Sequence, residues 1–253
     1  MRIVKFQYGQ KEHWGVAEKD YIRVLKNPPF KKIDFSGQKV ALNKVKLSAP
    51  ASPSKIVLVG LNYKDHAREL NMAVPKEPVI FLKPPTALTG PESKIVYPAG
   101  VTRLDYEAEL ALVIKKEAKN IKPQEAKKYI MGYTCLNDIT ARDIQKKDGQ
   151  WTRAKSFDTF CPLGPWLETD IDPGSLKISA RLNGKLKQDS STADFIFPAE
   201  YLVSFISKVM RLLPGDIVST GTPAGIGKMK AYDIIEIEIE GIGRLRNQVI
   251  KAQ

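Results

Sequence analysis

Cysteine, histidine and long apolar runs are what this chain has least of. Its 253 residues contain two cysteines and two histidines. Cys135 and Cys161 stand beside apolar residues without C-x-x-C spacing. That excludes a paired-cysteine motif and reads as two buried free thiols in a reducing cytoplasm. No apolar run approaches the ~18–20 residues of a membrane-spanning helix. The start, Met1-Arg2-Ile3-Val4-Lys5-Phe6, alternates like a strand and lacks the apolar stretch of a signal peptide. Nucleotide-binding loops are missing as well. The glycine-rich segment Gly221–Gly227 would need glycine at 222 and serine or threonine at 229 to cradle a phosphate as a P-loop. Those positions hold Thr222 and Met229, and no G-x-G-x-x-G occurs.

Acidic residues are outnumbered, 28 against 40 lysines and arginines, for a net charge of +12. Such an excess raises the question of nucleic acid. The lysines are spread along the chain, however, and the densest run, Lys115-Lys116-Glu117-Ala118-Lys119, holds an acid and no interleaved aromatic. With no nucleic-acid-binding motif present, the charge reads as a solvated surface that also draws in anionic substrates. Neither nucleic acid nor membrane is expected as a partner. A hydrophobic content of 43% with 27% charged residues excludes a disordered chain and is enough for a sizeable core.

The chain divides on composition. Residues 1–50 read as a small N-terminal β domain with short strands at Arg2–Tyr8, Trp14–Ala17 and Tyr21–Leu25. The stretch Leu47–Ser54, rich in small residues and proline, reads as a linker. Residues 51–253 form the main domain, opened by the apolar strand Ile56–Val59 and a short helix from Lys64 to Met72. Further strands are expected at Val79–Lys83, Glu107–Ile114, Met131–Cys135, Lys177–Leu182, Ile217–Ser219 and Ile234–Glu240. Helices are expected at Pro123–Tyr129, Ile139–Lys147 and Pro198–Leu212. In the last, Leu202, Phe205, Ile206 and Val209 make an apolar stripe between Pro198 and Pro214-Gly215. Strands outnumber helices without βαβ alternation, so the fold class is mainly β (α+β), and Rossmann and TIM architectures are excluded.

The most informative stretch runs from Val101 to Ile114. Side chains alternate between the two faces of a strand, so Asp105, Glu107 and Glu109 fall in one row opposite Leu104, Tyr106, Ala108, Leu110 and Leu112. Crowded carboxylates repel unless a cation joins them, and a hard divalent ion suits oxygen donors. A solvated strand face is the alternative, and the chain supplies a control for it. Glu236, Glu238 and Glu240 alternate with isoleucines before Gly241-Ile242-Gly243. A hairpin with that three-residue loop sets Arg244 opposite Glu240 and Arg246 opposite Glu238, which accounts for those acids by cross-strand pairing. No basic strand follows Glu109. Asp138 is the natural third acid. It is expected to start a helix on which Arg142 and Gln145 share its face, so that an ion and an anionic ligand are held together. His66 and Glu69, at i and i+3, form a carboxylate-oriented imidazole suited to general base work. Lys155 and Lys83 each precede a proline-stiffened loop and are candidates to meet a substrate carboxylate.

Taken in order, these segments resemble the fumarylacetoacetate hydrolase superfamily. The resemblance rests on Gly60-Leu61-Asn62-Tyr63 with His66 and Glu69, Phe81-Leu82-Lys83-Pro84, Asp105–Leu110, Gly132–Asp138 with Arg142 and Gln145, Lys155-Ser156-Phe157-Asp158 and Gly221-Thr222-Pro223, and it covers Ile56 to the C-terminus. It implies a mixed β-sandwich roll with a few short helices, a homodimer, and one Mg²⁺ or Mn²⁺ held by Glu107, Glu109 and Asp138. Asp105 falls outside that set and is expected to brace it. The same resemblance makes His66 and Glu69 a water-activating pair. Lys155 is the third catalytic group, and Arg142, Gln145, Lys83 and Thr222 are substrate contacts. Expected substrates are small 2-oxo mono- or dicarboxylic acids, cleaved by C–C hydrolysis of the acylpyruvate or fumarylpyruvate type or decarboxylated through an enolate. The alternatives within the family are 2-hydroxyhepta-2,4-diene-1,7-dioate isomerisation and dehydration of 2-keto-3-deoxy sugar acids. The short amino-terminal segment points to the shorter branch of the family.

Overall fold

A computed structural model describes residues 1–252. Its backbone is a sandwich of β-sheets with short helices around the rim. The central sheet has twelve strands. From one edge it runs Phe35–Ala41, Tyr21–Leu25, Lys11–Ala17, Arg2–Tyr8, Cys161–Glu168, Ile130–Asn137, Ala108–Ile114, Ile217–Ser219, Ile56–Val59 and Ile80–Lys83, with Lys46–Ser48 and Leu88–Thr89 as short additions. A five-stranded sheet orders Lys185–Ser191, Lys177–Leu182, Ile234–Ile239, Gly243–Lys251 and Lys94–Tyr97. A three-stranded sheet joins Thr140–Ala141, Leu104–Tyr106 and Gly227–Met229.

The strand Ala108–Ile114 shows why the sequence is so apolar here. Leu110, Leu112 and Ile114 pack toward Ile178, Ile237 and Leu245 of the five-stranded sheet. Ala111 and Val113 face a second core containing Leu58, Leu163 and Ile217. A strand buried on both faces needs apolar residues at every position. Helix Ala199–Val209 closes the first core with Leu202, Val203 and Ile206. Both cysteines are buried free thiols, as expected, and burial pushes the Cys161 thiol up to about 12.

Several elements differ from the sequence reading. The row expected on one strand is split: Leu104–Tyr106 belongs to the small sheet and Ala108–Ile114 to the large one, with the chain crossing between them at Glu107. Asp138 starts no helix. The short strand Thr140–Ala141 intervenes and the helix is Arg142–Asp148, so Asp138 does not share its face. Pro123–Tyr129 is a 3-10 helix, and the helix at Lys64 ends at Glu69. The acidic hairpin turns at Glu240–Ile242. This places Arg244 opposite Glu238 and Arg246 opposite Glu236, two residues from the expected register. Since strand faces repeat every two residues, the opposite-charge pairing survives.

The stretch Leu47–Ser54 is packed rather than free. Lys46–Ser48 pairs with the first strand, Ala49 and Ala51 are buried, and Ser54 and Lys55 donate backbone N–H groups to Asp216 Oδ1 at 2.9 and 3.2 Å. Its small side chains permit this close approach. Ile3 pairs with Leu167 of the main domain, so the N-terminal strands extend the central sheet.

Candidate active site

The crossing at Glu107 builds the site. Leaving one sheet for the other removes Glu107 and Ala108 from regular pairing at their amides, and buried N–H groups need partners. Two side chains supply them: Asn137 Oδ1 accepts from the Glu107 amide at 3.0 Å, and Gln188 Oε1 from the Ala108 amide at 2.9 Å. The Asp138 amide donates to the Glu107 carbonyl at 2.9 Å. The bend therefore aims the side chains of Glu107 and Glu109 toward Asp138, just past the end of the neighbouring strand. One carboxylate oxygen from each lies within 4.8 Å of the others, and all three residues are buried.

Around them cations and carboxylates alternate. Arg103 Nε pairs with Asp105 Oδ1 at 2.9 Å, and Asp105 Oδ2 takes Arg142 Nε at 2.9 Å. Arg142 Nη2 bonds Glu107 Oε1. Lys155 Nζ joins Glu107 Oε2 at 2.9 Å to Asp138 Oδ2 at 2.5 Å, and Lys83 Nζ lies 2.7 Å from Asp138 Oδ1. Burial would raise the Glu107 carboxyl, but Lys155 and Arg142 outweigh it and hold the group well below the usual carboxylate range. Burial likewise opposes charge on Lys155, and Asp138 and Glu107 overcome it to keep the ammonium above its ordinary value.

Glu109 stands apart. Ser219 Oγ and, at 3.1 Å, the Gly221 amide donate to its Oε2. Among the described residues no lysine or arginine forms an ion pair with it. Burial first, and then the charge of Asp138, pushes its carboxyl well above the usual range. Asp138 Oδ1 is buried and forms no aligned hydrogen bond, although it is ion-paired with Lys83 Nζ, which also donates to the carbonyls of Ile139 at 3.0 Å and Phe160 at 2.5 Å. A buried carboxyl without an ion-pair partner at Glu109, three converging acids and an all-oxygen donor set fit a hard divalent cation such as Mg²⁺ or Mn²⁺.

This cluster floors a cavity of about 500 Å³ whose lining includes His66, Arg142, Gln145, Lys155 and Thr222 along with the three acids. Glu69 stands behind His66, with Nδ1 to Oε2 at 2.8 Å, and its other oxygen accepts from the Gly225 amide at 3.0 Å. A proton held on Nδ1 by Glu69 leaves Nε2 as a base. Arg142 Nη1 donates to Gln145 Oε1 at 2.5 Å, one turn along the same helix. Lys83 is placed differently: its ammonium is fully buried against Asp138, and the residue is not part of the cavity lining. Asp105 holds Arg142, which in turn contacts Glu107.

Sequence reasoning missed Gln188. It is the one buried residue of the polar strand Lys185–Ser191. Besides holding the Ala108 amide, it donates Nε2 to Thr222 Oγ1 at 2.9 Å and to the Pro223 carbonyl at 2.8 Å, which ties the glycine-rich loop to the bend. Nothing in Lys-Leu-Lys-Gln-Asp-Ser-Ser signals this, because the pattern is that of an exposed strand.

Known proteins share this architecture. The model for the fumarylacetoacetate (FAA) hydrolase C-terminal domain matches residues 55–250, and one for an Rv2993c-like N-terminal domain matches residues 1–50. The oxaloacetate tautomerase fahd2 of Xenopus laevis mitochondria is 43% identical over 231 residues, covering 86% of this chain and 72% of the relative. The crystal structure of 5-carboxymethyl-2-hydroxymuconate delta-isomerase from Mycobacterium smegmatis superposes with a TM-score of 0.95 at 41% identity, covering 100% of both chains. Maleylpyruvate hydrolase from Sphingobium sp. SYK-6, solved with manganese(II) and pyruvate, gives a TM-score of 0.83 at 29% identity, again over 100% of both chains. With a family model spanning most of its length and enzymes as its structural neighbours, the chain belongs to the fumarylacetoacetate hydrolase family of hydrolases, isomerases and decarboxylases.

Proposed function

We propose that this protein is a divalent-metal-dependent enzyme that acts on small 2-oxo acids by stabilising the enolate formed when a bond to C3 breaks. The observation that carries the reading is the convergence of Glu107, Glu109 and Asp138 on the floor of a cavity that also holds Lys155, Arg142 and the His66–Glu69 pair. Glu107, Glu109 and Asp138 would hold Mg²⁺ or Mn²⁺, which supplies Lewis acidity toward the developing negative charge.

The protein's own groups do the rest. Arg142, fixed by Asp105 and Gln145, presents a guanidinium to the substrate carboxylate, and Thr222 offers a hydroxyl from the glycine-rich loop. Lys155, kept charged between Glu107 and Asp138, stabilises negative charge growing on the keto oxygen. His66, oriented by Glu69, takes a proton from water attacking the C4 carbonyl, and the C3–C4 bond breaks with its electrons passing into the enolate. Loss of CO₂ from oxaloacetate generates the same enolate without a water step. Removal of a C3 proton with return of a proton to the keto oxygen gives keto–enol tautomerisation, the activity named for the Xenopus relative. C–C hydrolysis of acylpyruvates and oxaloacetate decarboxylation are the reactions we favour, since the three acids would hold a divalent ion for both and the base–carboxylate pair suits the hydrolysis. The same reading has a homodimer working in the cytoplasm, with residues 1–50 as an N-terminal β domain.

The test is a panel of acylpyruvates, fumarylpyruvate and oxaloacetate assayed with Mg²⁺ and with Mn²⁺. Turnover that depends on added metal and is lost in Glu107→Ala is expected. A panel without turnover under either metal rejects the proposal.

A further inference from the structure

We infer that the cavity selects 2-oxo acids with one charged end and an apolar acyl tail over dicarboxylic acids of the same length. This rests on the 2-oxo acid reading above and concerns the opposite end of the substrate. The walls change character with distance from the floor. Lys155 Nζ lies 5.1 Å from the centre of the Phe81 ring, and Phe81 meets Trp151 edge to face with ring centres 5.1 Å apart. An aromatic wall thus leads away from the charged floor. Trp151 packs onto Gly60, where an added Cβ would come within 3.3 Å of the indole, so the glycine lets the ring lie close against the neighbouring loop.

Leu70 and Met72 also line the cavity. They follow directly on the short helix that carries His66 and leave 45% and 55% of their surfaces exposed. Apolar side chains clustered at a pocket mouth mark a surface with an apolar partner. Cations are scarce there. Arg142 and Lys155 are committed to carboxylates at the floor, and Lys146, the third cation of the lining, is exposed on the helix. A substrate whose carboxylate and keto oxygen occupy the floor lays its remaining carbons against Phe81 and Trp151. A second carboxylate at that end would lose water without gaining a buried donor, which costs affinity. Methylene groups in the same place gain from burial.

Oxamates provide the probe, because their planar carboxylate–amide unit mimics a 2-oxo acid enolate and their nitrogen accepts a tail of any kind. Binding of oxamate, N-alkyl oxamates from methyl to hexyl, and N-(carboxyalkyl) oxamates of matched length would be measured by calorimetry on the Mg²⁺-loaded protein. We expect Kd to fall about two- to fourfold per methylene until the tail leaves the cavity, with a heat-capacity change that grows more negative along the series. The carboxylated member should bind at least about tenfold more weakly than its alkyl counterpart, since an unpaired charge would be desolvated there. Trp151→Ala should flatten the slope of the series. Met72→Ser, at an exposed rim position, should flatten only its longest members. A flat series, or tighter binding of the carboxylated tails, overturns the inference while leaving the 2-oxo acid reading intact. Failure of unsubstituted oxamate itself to bind overturns both.

Discussion

Asp105–Glu109 and Glu236–Glu240 carry the same alternation of acids and apolar residues, and they do opposite things. In the second row Ile235, Ile237 and Ile239 are buried while Arg244 and Arg246 stand across the hairpin from Glu238 and Glu236. The Arg244–Glu238 contact, 3.1 Å, joins side chains 49% and 44% exposed. Its charges are shared with solvent. The first row lies where two sheets part, and the bend at Glu107 turns a flat row into a converging one. Cations brace Asp105 and Glu107 there, and Glu109 is left without one. What distinguishes a site from a surface is thus the break in the strand, together with the mismatch between buried carboxylates and the cations available to them. The spacing of the acids is the same in both.

The sharpest way to break this comparison is to neutralise one acid of the buried site and one of the exposed row. Glu109→Gln, or Asp138→Asn, should abolish metal-dependent turnover. Loss of several kcal/mol of charge stabilisation corresponds to a rate decrease on the order of 10³-fold. Glu238→Gln should change turnover by less than about twofold, as expected of a surface substitution. Comparable losses in both rows would show that burial does not separate them. Mn²⁺ binding followed by electron paramagnetic resonance checks the same contrast without substrate: affinity falls in the first pair of variants and holds in the third.

Asp105 tests whether the first row includes a member that is structural alone. Its carboxylate is fully buried between Arg103 and Arg142. Removing one partner of a buried ion pair typically costs about 3–5 kcal/mol. Because Arg142 keeps Glu107 and Arg103 is partly exposed, we expect Asp105→Asn to lose about 3 kcal/mol in urea unfolding, with Mn²⁺ still bound.

Much of this was legible before any coordinates. The run Ile56–Val59 and the stripe on Ala199–Val209 depend on near-neighbour patterns, and they form a strand and a helix as expected. The row Asp105, Glu107 and Glu109 stands out because crowded carboxylates demand a cation, with Asp138 as a further acid, and it is the family resemblance that narrows the ligand set to Glu107, Glu109 and Asp138. Three features were not legible, and each depends on contacts distant in sequence. Alternation continues unbroken through Glu107, so nothing local marks the change of sheet. Asp138 looks like a helix cap because aspartate favours that position, yet tertiary pairing of Thr140–Ala141 with Leu104–Asp105 delays the helix to Arg142. Lys83 reads as a candidate contact for a substrate carboxylate, and only the fold buries its ammonium against Asp138.

Gln188 reaches the first row from another sheet, and it has no counterpart at the second. Gln188→Leu keeps the side chain's bulk while stranding the buried Ala108 amide and the Thr222 hydroxyl. An unsatisfied buried group costs about 1–3 kcal/mol, so a loss of about 2 kcal/mol in stability is expected, together with a raised KM because Thr222 is no longer fixed. Gln188→Glu keeps an acceptor for Ala108 and should recover part of the stability but not the KM. Equal stability of the two variants would mean that the amide's acceptor half, its bond to Ala108, is idle.

The smallest effect belongs to the exposed row, and it is informative because it should vanish. Exposed ion pairs contribute about 0–1 kcal/mol and weaken with salt, since the screening length shrinks from roughly 10 Å at 0.1 M to 3 Å at 1 M. A double-mutant cycle on Glu238 and Arg244 should therefore give a coupling below about 0.5 kcal/mol at low salt and none measurable at 1 M. The same cycle on Asp105 and Arg142 should keep most of its coupling at 1 M salt, because Asp105 is fully buried and the Arg142 side chain only 12% exposed, out of reach of mobile ions. Loss of both couplings on adding salt would place the first row in contact with solvent as well. Its acids would then be screened like those of the hairpin, and nothing about their surroundings would call for a bound cation.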